Sequence, residues 1–391
     1  MKDLRAIGRP DGDVTEHGFV ENGVRVGGGA FHVMAGLCVV DNRKNLELTL
    51  RALRDCGVTT TRAGVWKPRT SPYHFQGLGK DCLPWLFELC GSYGIKLVAV
   101  EVLAPAHIDD VARALDDAGH PTSVMLQTGT RNAQNFELLK AVGGQREMPV
   151  LYKRGMGIRL EESLLAAEYI AAAGNARVAF CLRGVHTHLG EPHRNLADFA
   201  LVPVVKRKTN LPVCVDPSHA IGSKEATPDG RSDVHHAAAQ GVIAGADLLL
   251  VDIHPAPHEA LCDGPQALTL AELPRFLEDI AAVRAAYLAR PTALAATAPT
   301  ADLAETRARI DDVDQGILAL LTQRAALAKE AARHKRARGL PVKDLAREQE
   351  NRARRALLAS ARGVDARYVD DVFEKIVAWS RALQEDLQKD G

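Results

Sequence analysis

Short apolar runs alternate with longer stretches of helical character along the first 290 residues. The runs are rich in Val, Leu and Ile, and they span residues 32–40, 59–66, 96–102, 123–129, 149–154, 177–184, 212–219 and 248–255. Apolar runs without strict alternation are typical of parallel strands that are covered on both faces. Eight such strands, each followed by a helix, predict an α/β protein with a (β/α)8 TIM barrel. A polar hairpin over residues 14–30, with its turn at Glu21-Asn22-Gly23, precedes it, and the eighth helix is expected over residues 268–288.

The pattern changes after residue 289. Residues 290–302, RPTALAATAPTAD, contain two prolines among Ala and Thr, which is typical of a linker. Beyond it, apolar residues at helical spacing predict an all-α domain of three helices, over residues 305–338, 346–360 and 365–387. We therefore expect a barrel with its hairpin over 1–289, a linker over 290–302 and a helical domain over 303–391. A unit this small buries little surface alone, so it is expected to need a partner subunit or the barrel.

Composition narrows the functional classes. The 391 residues contain 49 basic and 49 acidic side chains, which argues against a nucleic-acid or membrane-surface protein. No apolar stretch approaches the ~20 residues of a membrane span, and the polar N-terminus lacks the apolar core of a signal peptide. The seven cysteines contain no CxxC pair and suit a reducing compartment. We expect a cytoplasmic protein without nucleic-acid or membrane partners.

Cationic residues recur where the expected barrel strands end: Arg62, Lys67, Arg69, Arg131, Lys153 and Arg183. The C-terminal ends of the strands form the catalytic face of a TIM barrel. Each cation alone could pair with a nearby acid on the rim. The whole set at one mouth favours anionic ligands, because phosphates and carboxylates bind Arg well and remove the cost of enclosing like charges.

A second group at the same mouth consists of Cys38, His219, Asp252 and Asp263. Taken singly, Cys38 would more often be a small buried apolar residue, and His219 would more often be a core histidine with satisfied hydrogen bonds. Thiolate, imidazole and carboxylates together can bind a divalent transition metal. Their shared location therefore predicts a metal site with these four ligands.

Several motifs in this half resemble those of 3-deoxy-D-arabino-heptulosonate 7-phosphate (DAHP) synthases of the type-Iβ kind. They are RAGVWKPRTSPYHFQG (62–77), GTRNAQNFELL (129–139), KRGM (153–156), VDPSHAIG (215–222) and DGPQAL (263–268). The resemblance covers about residues 14–275. It implies a barrel that condenses phosphoenolpyruvate with erythrose 4-phosphate, using Mn²⁺ or a similar divalent ion.

The resemblance also implies roles for single residues. Phosphoenolpyruvate would be held by Arg62, Lys67, Arg131, Lys153 and Arg183. Arg69 and Thr70 would hold the phosphate of erythrose 4-phosphate, and Lys67 would assist proton transfer near the aldehyde. Cys38, His219 and Asp263 match the family's metal ligands.

The chain departs from the family at the metal and aldehyde side. Asp252 stands where the family usually has Glu, GLCVVD (36–41) replaces GPCSVE, and Thr130 replaces Ala. Residues 186–195, HTHLGEPHRN, are also unusual. Three alternatives follow: an ordinary DAHP synthase, a relative that uses another aldehyde or metal, or a weakened catalyst retained for regulation.

The helical domain carries its own set of polar residues among apolar positions: Arg307, Arg324, Lys335, Asp344, Arg347, Glu348, Ser380 and Gln384. Ser380 and Gln384 are four residues apart and share a helix face. Singly, such residues usually belong to the solvated face of a charged bundle. Together, with LAETRARIDDVDQGILALLTQRAALAKEAARHK, GLPVKDLAREQE and FEKIVAWSRALQ, they resemble the AroQ-type chorismate mutases over about residues 303–388.

That second resemblance implies a cofactor-free rearrangement of chorismate to prephenate. The arginines would clamp the carboxylates, Lys335 and Gln384 would donate to the ether oxygen, and Glu348 would accept from the ring hydroxyl. Arg307 would act across a homodimer or a higher homo-oligomer. Both resemblances together predict a bifunctional enzyme of the shikimate pathway and aromatic amino acid biosynthesis, a transferase and an isomerase in one chain. The alternative is an active mutase whose barrel is regulatory or degenerate, or uses a different phosphorylated aldose.

Overall fold

The computed structural model describes residues 3–10, 13, 15–290, 303–361 and 364–389. The chain divides into two compact units, Met1–Pro291 and Thr292–Gly391. The expected linker, residues 290–302, lies outside the described residues apart from Arg290. None of the described helices combines the length and the apolar character needed to cross a membrane.

The strands are β1 (Gly18–Glu21), β2 (Val24–Gly27), β3 (His32–Leu37), β4 (Thr60–Ala63), β5 (Leu97–Val102), β6 (Ser123–Thr128), β7 (Val150–Lys153), β8 (Val178–Leu182), β9 (Val213–Val215), β10 (Leu248–His254) and β11 (Leu268–Thr269). The α-helices are α1 (Arg43–Asp55), α2 (Leu83–Ser92), α3 (Pro105–Asp117), α4 (Phe136–Gly144), α5 (Leu160–Ala172), α6 (Val202–Lys208), α7 (Pro217–Ile221), α8 (Asp233–Ile243), α9 (Leu273–Leu288), α10 (Leu303–Ala337), α11 (Leu345–Ala361) and α12 (Ala366–Lys389).

The first unit is a closed parallel barrel. Strands β3 to β10 pair in chain order, and β10 also pairs with β3, which closes the ring. The expected eight-stranded barrel is therefore confirmed. A closed barrel brings the C-terminal ends of all eight strands to one face, which is where TIM barrels place their chemistry.

The hairpin of β1 and β2 covers the opposite face. The side chain of Asn22 donates to the backbone oxygen of Lys96 at 2.9 Å, and Arg177 NH1 lies 2.6 Å from Glu21 Oε2; Lys96 and Arg177 immediately precede β5 and β8. The prediction of a polar hairpin was wrong for one face, because Val24 and Val26 are buried with the residues inside the barrel. This apolar face closes the N-terminal end of the barrel.

Two predicted boundaries were wrong because local capping determines them. The run 212–219 ends as a strand at Val215. The Asp216 side chain then accepts from the backbone N–H of His219 at 3.0 Å and starts the short helix α7. Likewise, Leu268-Thr269 pairs with the end of β10 and does not begin a helix. The Glu272 side chain accepts from the backbone of Thr269 at 2.7 Å, and α9 begins only at Leu273.

The second unit consists of α10, α11 and α12, as the apolar spacing predicted. Helix α12 packs against both α10 and α11. Gly339, with a φ of 63°, ends the long first helix in the left-handed conformation that glycine adopts readily. The arrangement leaves a cleft among the three helices, which the next section describes.

Candidate active sites

Four cations lie at the C-terminal mouth of the barrel. Arg62 is in β4, Lys153 ends β7, and Lys67 and Arg183 follow β4 and β8. All four side chains are buried. Lys67, Lys153 and Arg183, together with Arg131, line one pocket with His219 and Asp263.

Three of these cations have acidic partners within the mouth. Arg62 forms an ion pair with Asp252, and Lys153 forms one with Asp216. Lys67 Nζ lies 2.7 Å from Cys38 Sγ and 3.2 Å from Asp263 Oδ2. The simpler interpretation, in which each cation pairs with an acid, therefore holds for part of the set, although these acids lie inside the mouth and not on the rim.

The remaining guanidinium donors have no acceptor in the described part of the chain. They are Nε and NH1 of Arg183, Nε of Arg62 and NH1 of Arg69, all buried. The one hydrogen bond of Arg183 joins NH2 to the backbone oxygen of His219 at 3.4 Å. Burial lowers the pKa of Arg183, and the nearby carboxylate of Asp216 offsets this lowering only in part. Unsatisfied buried donors are costly, and a bound phosphate or carboxylate would satisfy them.

The outer part of the mouth holds the other residues that were assigned to substrate phosphates. Arg69 is half-buried, whereas Thr70 and Arg131 are exposed. Arg131 NH2 lies 3.5 Å from Thr70 Oγ1. The structure therefore brings Arg131 beside the segment of Arg69 and Thr70, at the end of the pocket that opens to solvent.

The four expected metal ligands meet in the same mouth. Cys38 Sγ lies 3.6 Å from His219 Nε2 and 3.0 Å from Asp263 Oδ2, and His219 Nε2 lies 3.6 Å from Asp263 Oδ2. Asp252 approaches the other ring nitrogen of His219, with Oδ2 at 3.6 Å from Nδ1. The donor atoms of Cys38, His219 and Asp252 all lie within 4.8 Å of one another. These residues fit a divalent transition metal in donor type and in spacing.

Asp216 fixes the orientation of His219. Its Oδ1 lies 3.1 Å from His219 Nδ1, which turns Nε2 towards Cys38 and Asp263. Burial disfavours the charged imidazole, but Asp216 and Asp252 raise the pKa of His219 to about 10. Metal binding would therefore release a proton from this ring. A carboxylate behind a ligating histidine is a common support of such sites.

The protonation of Lys67 limits its role. Burial alone would lower the pKa of Lys67, but the neighbouring Cys38, Cys262 and Asp263 raise it above its usual value. Lys67 therefore keeps its proton and can donate a hydrogen bond or a proton. It is unsuited to act as a base in this state.

Five residues of the mouth were missed by the sequence analysis: Glu101, Arg194, Asp216, Cys262 and Gln266. Asp216, Cys262 and Gln266 each lie within three residues of a proposed metal ligand, so chain proximity could have indicated them. Glu101 is the second-last residue of β5, so its position near a strand end could also have indicated it. Arg194 belongs to a loop, and its contact with Asp263 Oδ1 at 3.1 Å had no signal in the sequence.

Lengthening Asp252 by one methylene tests whether it is a metal ligand. Its Oδ1 accepts from Arg62, and its Oδ2 accepts from Gln266 Nε2 at 2.5 Å. In Asp252→Glu the carboxylate extends further into the mouth, so we expect Mn²⁺ to bind roughly tenfold more tightly in a calorimetric titration. Asp247→Glu, at an equally buried aspartate before β10, is the control. Unchanged Mn²⁺ affinity in Asp252→Glu would remove Asp252 from the ligand set.

The helical unit contains a cavity of about 440 Å³. Seven of the eight residues proposed from the sequence line it: Arg324, Lys335, Asp344, Arg347, Glu348, Ser380 and Gln384. Arg307 is exposed on α10 and does not line this cavity.

Short contacts fix several of these side chains. Arg324 NH1 donates to Ser380 Oγ and to the backbone oxygen of Ile376, the latter at 3.3 Å. Lys335 Nζ donates to the backbone oxygen of Val342. Asp344 Oδ1 accepts from the backbone N–H of Arg347 at 3.0 Å and so caps the start of α11. The side-chain oxygen of Gln384 is buried and has no hydrogen-bond partner among the residues that the structure describes.

The cavity has an excess of positive charge. Six cationic residues line it against four carboxylates, and the cations Arg352, Arg355 and Arg381 were not among the predicted residues. Arg381 Nε donates to Glu348 Oε1 at 2.9 Å, which fixes that carboxylate. Burial and the nearby Arg355 lower the pKa of Arg324. An excess of two positive charges suits a dicarboxylate ligand.

Comparison with known proteins assigns a family to each of the two units. The family model described as DAHP synthetase I family matches residues 14–288, and the model of chorismate mutase type II matches residues 306–385. A phospho-2-dehydro-3-deoxyheptonate aldolase of Thermotoga maritima is 41% identical over 246 residues, which cover 63% of this chain and 67% of the relative.

A 2-dehydro-3-deoxyphosphooctonate aldolase of Desulfosudis oleivorans is 27% identical, over 68% of this chain and 95% of the relative. Among solved structures, the DAHP synthase of Thermotoga maritima is similar with a TM-score of 0.63 and 35% identity, covering 72% of this chain and 76% of that one. The chain therefore belongs to the DAHP synthetase I family, and it also carries a chorismate mutase type II domain.

Proposed function

We propose that this chain is a bifunctional enzyme of the shikimate pathway. The barrel condenses phosphoenolpyruvate with erythrose 4-phosphate to DAHP, and the helical unit rearranges chorismate to prephenate. The observation that carries the proposal for the barrel is the set of unpartnered guanidinium donors on Arg62, Arg69 and Arg183, beside a cluster of metal-ligating side chains. Anionic substrates supply the acceptors that these donors lack.

In the barrel, Arg183, Arg62 and Lys153 orient the phosphate and carboxylate of phosphoenolpyruvate at the inner end of the pocket. Arg69, Thr70 and Arg131 hold the phosphate of the aldose at the outer end. A divalent ion on Cys38, His219, Asp252 and Asp263, such as Mn²⁺, would polarise the aldehyde oxygen as a Lewis acid. Lys67, protonated beside Cys38 and Asp263, donates to the oxygen that gains charge as C3 of phosphoenolpyruvate attacks the aldehyde carbon. Water then adds at C2 of the former phosphoenolpyruvate, and inorganic phosphate leaves.

The choice of aldose follows from carbon counting. Adding the three carbons of phosphoenolpyruvate to a four-carbon aldose gives a heptulosonate, and adding them to a five-carbon aldose gives an octulosonate. The heptonate aldolase is 41% identical to this chain and the octonate aldolase 27%. We therefore assign erythrose 4-phosphate as the acceptor.

In the helical unit, Arg324 and Arg347 hold the two carboxylates in the compact conformer that rearranges. Lys335 and Gln384 donate to the ether oxygen, where negative charge develops. Glu348, fixed by Arg381, accepts from the ring hydroxyl. Because Arg307 is exposed and outside its own cavity, we propose a homodimer in which Arg307 completes the partner's pocket.

Removing metal should separate the two activities. In one preparation, we expect chelator to stop the consumption of phosphoenolpyruvate with erythrose 4-phosphate, and added Mn²⁺ to restore it. Chorismate loss should be unchanged throughout, because the proposed rearrangement uses hydrogen-bond donors and cations of the cavity and needs no metal. A five-carbon phosphorylated aldose serves as the control substrate. Chorismate loss without any consumption of phosphoenolpyruvate would refute the barrel assignment, and faster turnover with the five-carbon aldose would refute the choice of acceptor.

A further inference from the structure

A second thiol lies within the metal-ligand cluster. Cys262 is buried, and its Sγ lies 3.0 Å from Asp263 Oδ2. Cys38 Sγ lies 3.0 Å from the same oxygen. The donor atoms of Cys38, Cys262 and Asp263 all lie within 4.8 Å of one another. Two thiolates that bind one ion at about 2.3 Å each lie within about 4.6 Å of each other. The contact of both thiols with the same oxygen of Asp263, at 3.0 Å each, brings the two sulfurs to one point of the cluster.

The backbone at Asp263 explains how two consecutive side chains reach one site. Asp263 has a φ of 53°, in the left-handed region, and precedes the turn Gly264–Gln266. Asp tolerates this conformation better than most residues other than Gly. The turn places the Cys262 thiol and the Asp263 carboxylate on the same side of the chain, towards Cys38.

Asp252 and Cys262 differ in how far their donor atoms are already engaged by other groups. Arg62 holds its Oδ1, and Gln266 Nε2 donates to its Oδ2 at 2.5 Å. Both carboxylate oxygens are thus already engaged by donors on the side of the barrel core. By contrast, the hydrogen bond that the Cys262 thiol makes within the described residues is to Asp263, a member of the cluster, and it packs with Cys38, Val39 and Phe75.

We propose that Cys262 is a metal ligand, so that this site binds its divalent ion through two thiolates, Cys38 and Cys262, together with Asp263, His219 and Asp252. The inference deepens the proposed function and rests on it for the presence of a metal. Each thiol loses its proton to solvent as its sulfur–metal bond forms. A donor set with two thiolates favours thiophilic ions such as Zn²⁺, Co²⁺ or Cd²⁺ over Mn²⁺.

The test measures sulfur ligation directly. The wild-type chain is loaded with Co²⁺, and the thiolate-to-cobalt charge-transfer absorbance is compared with that of Cys262→Ser and of Cys56→Ser, a half-buried thiol outside the cluster. We expect the absorbance to fall by about half in Cys262→Ser and to stay unchanged in Cys56→Ser. Cd²⁺ affinity should fall at least about tenfold in Cys262→Ser, while Mn²⁺ affinity changes much less. X-ray absorption on the Zn²⁺-loaded wild type should show two sulfur neighbours at about 2.3 Å, and it needs no variant.

One sulfur neighbour in the wild type, or equal absorbance in wild type and Cys262→Ser, would overturn the inference. Turnover of phosphoenolpyruvate is measured on the same Co²⁺-loaded samples. If the wild-type sample turns over phosphoenolpyruvate but shows only one thiolate ligand, the proposed function is retained and Cys262 is not a ligand. Two thiolates without turnover supports Cys262 and removes the proposed barrel activity. Failure to bind Co²⁺ at all refutes both.

Discussion

Replacing Arg183 with methionine is expected to abolish the consumption of phosphoenolpyruvate and, at the same time, to raise the thermal stability of the barrel. Arg183 is buried, two of its three nitrogens have no hydrogen-bond acceptor, and within the described residues it forms no ion pair. Each unsatisfied buried donor costs about 1–3 kcal/mol. Methionine removes these donors and fills much of the same space, so the unfolding midpoint should rise by several degrees. Loss of the charged contact should lower kcat/KM for phosphoenolpyruvate at least about a hundredfold.

Arg154 provides the matched control. It is equally buried and directly follows Lys153. Its Nε also lacks an acceptor among the described residues, but its guanidinium forms an ion pair with Asp198 and donates to the backbone oxygen of Ile158 at 3.0 Å. Arg154→Met leaves a buried carboxylate without its partner and should destabilise the barrel by about 3–5 kcal/mol. Calorimetry should therefore give shifts of opposite sign for the two variants. If Arg183→Met destabilised the barrel as Arg154→Met does, Arg183 would be a structural residue and not a ligand for substrate.

Chorismate turnover provides the internal standard for this comparison. It is assigned to the other unit, so it should be equal in wild type, Arg183→Met and Arg154→Met at temperatures where each is folded. Its constancy would show that equal amounts of intact chain are being compared. The combination of lost activity and gained stability is the behaviour expected of a residue that is retained for ligand binding at the expense of stability.

The same contrast shows which parts of the site could be predicted from the sequence. The eight strands were predictable because a strand covered on both faces must be apolar along its length, and this signal is local. The gathering of the cations and of most of the proposed metal ligands in one mouth was predictable, because these residues stand at or just after strand ends. The pairing was not predictable: Arg62 and its partner Asp252 are 190 residues apart, and Lys153 and Asp216 are 63 apart. Only closure of the barrel brings these residues together, so the sequence alone could not separate the paired Arg62 from the unpartnered Arg183.

Two predicted element boundaries were wrong for a different reason. The end of β9 and the start of α9 depend on local hydrogen bonds that the carboxylates of Asp216 and Glu272 accept from His219 and Thr269. Hydrophobic periodicity carries no information about such caps. The error at β9 affects the proposed metal site. The Asp216 side chain caps the helical turn that carries His219, and the same carboxylate orients the imidazole of His219.

Lys335→Ala should remove the mutase activity and leave the barrel activity intact. Lys335 lines the cavity of the helical unit, and its ammonium is positioned by the backbone oxygen of Val342. Chorismate rearranges without a nucleophile or a metal, so stabilising the charge that develops on the ether oxygen is the main contribution the protein can make. Loss of one such donor typically lowers kcat about 10²–10³-fold. We expect a loss of at least this size in the rate of chorismate disappearance.

Lys343→Ala is the control, because Lys343 is exposed, lies eight residues further along the chain and does not line the cavity. It should keep wild-type rates for both reactions. Consumption of phosphoenolpyruvate should also be unchanged in Lys335→Ala, since the barrel's residues all come from the first unit. Equal loss of both activities in Lys335→Ala would contradict separate active sites. A loss confined to KM, with kcat retained, would instead show that Lys335 binds the substrate's carboxylate, because a donor to the developing charge acts on the transition state and must lower kcat.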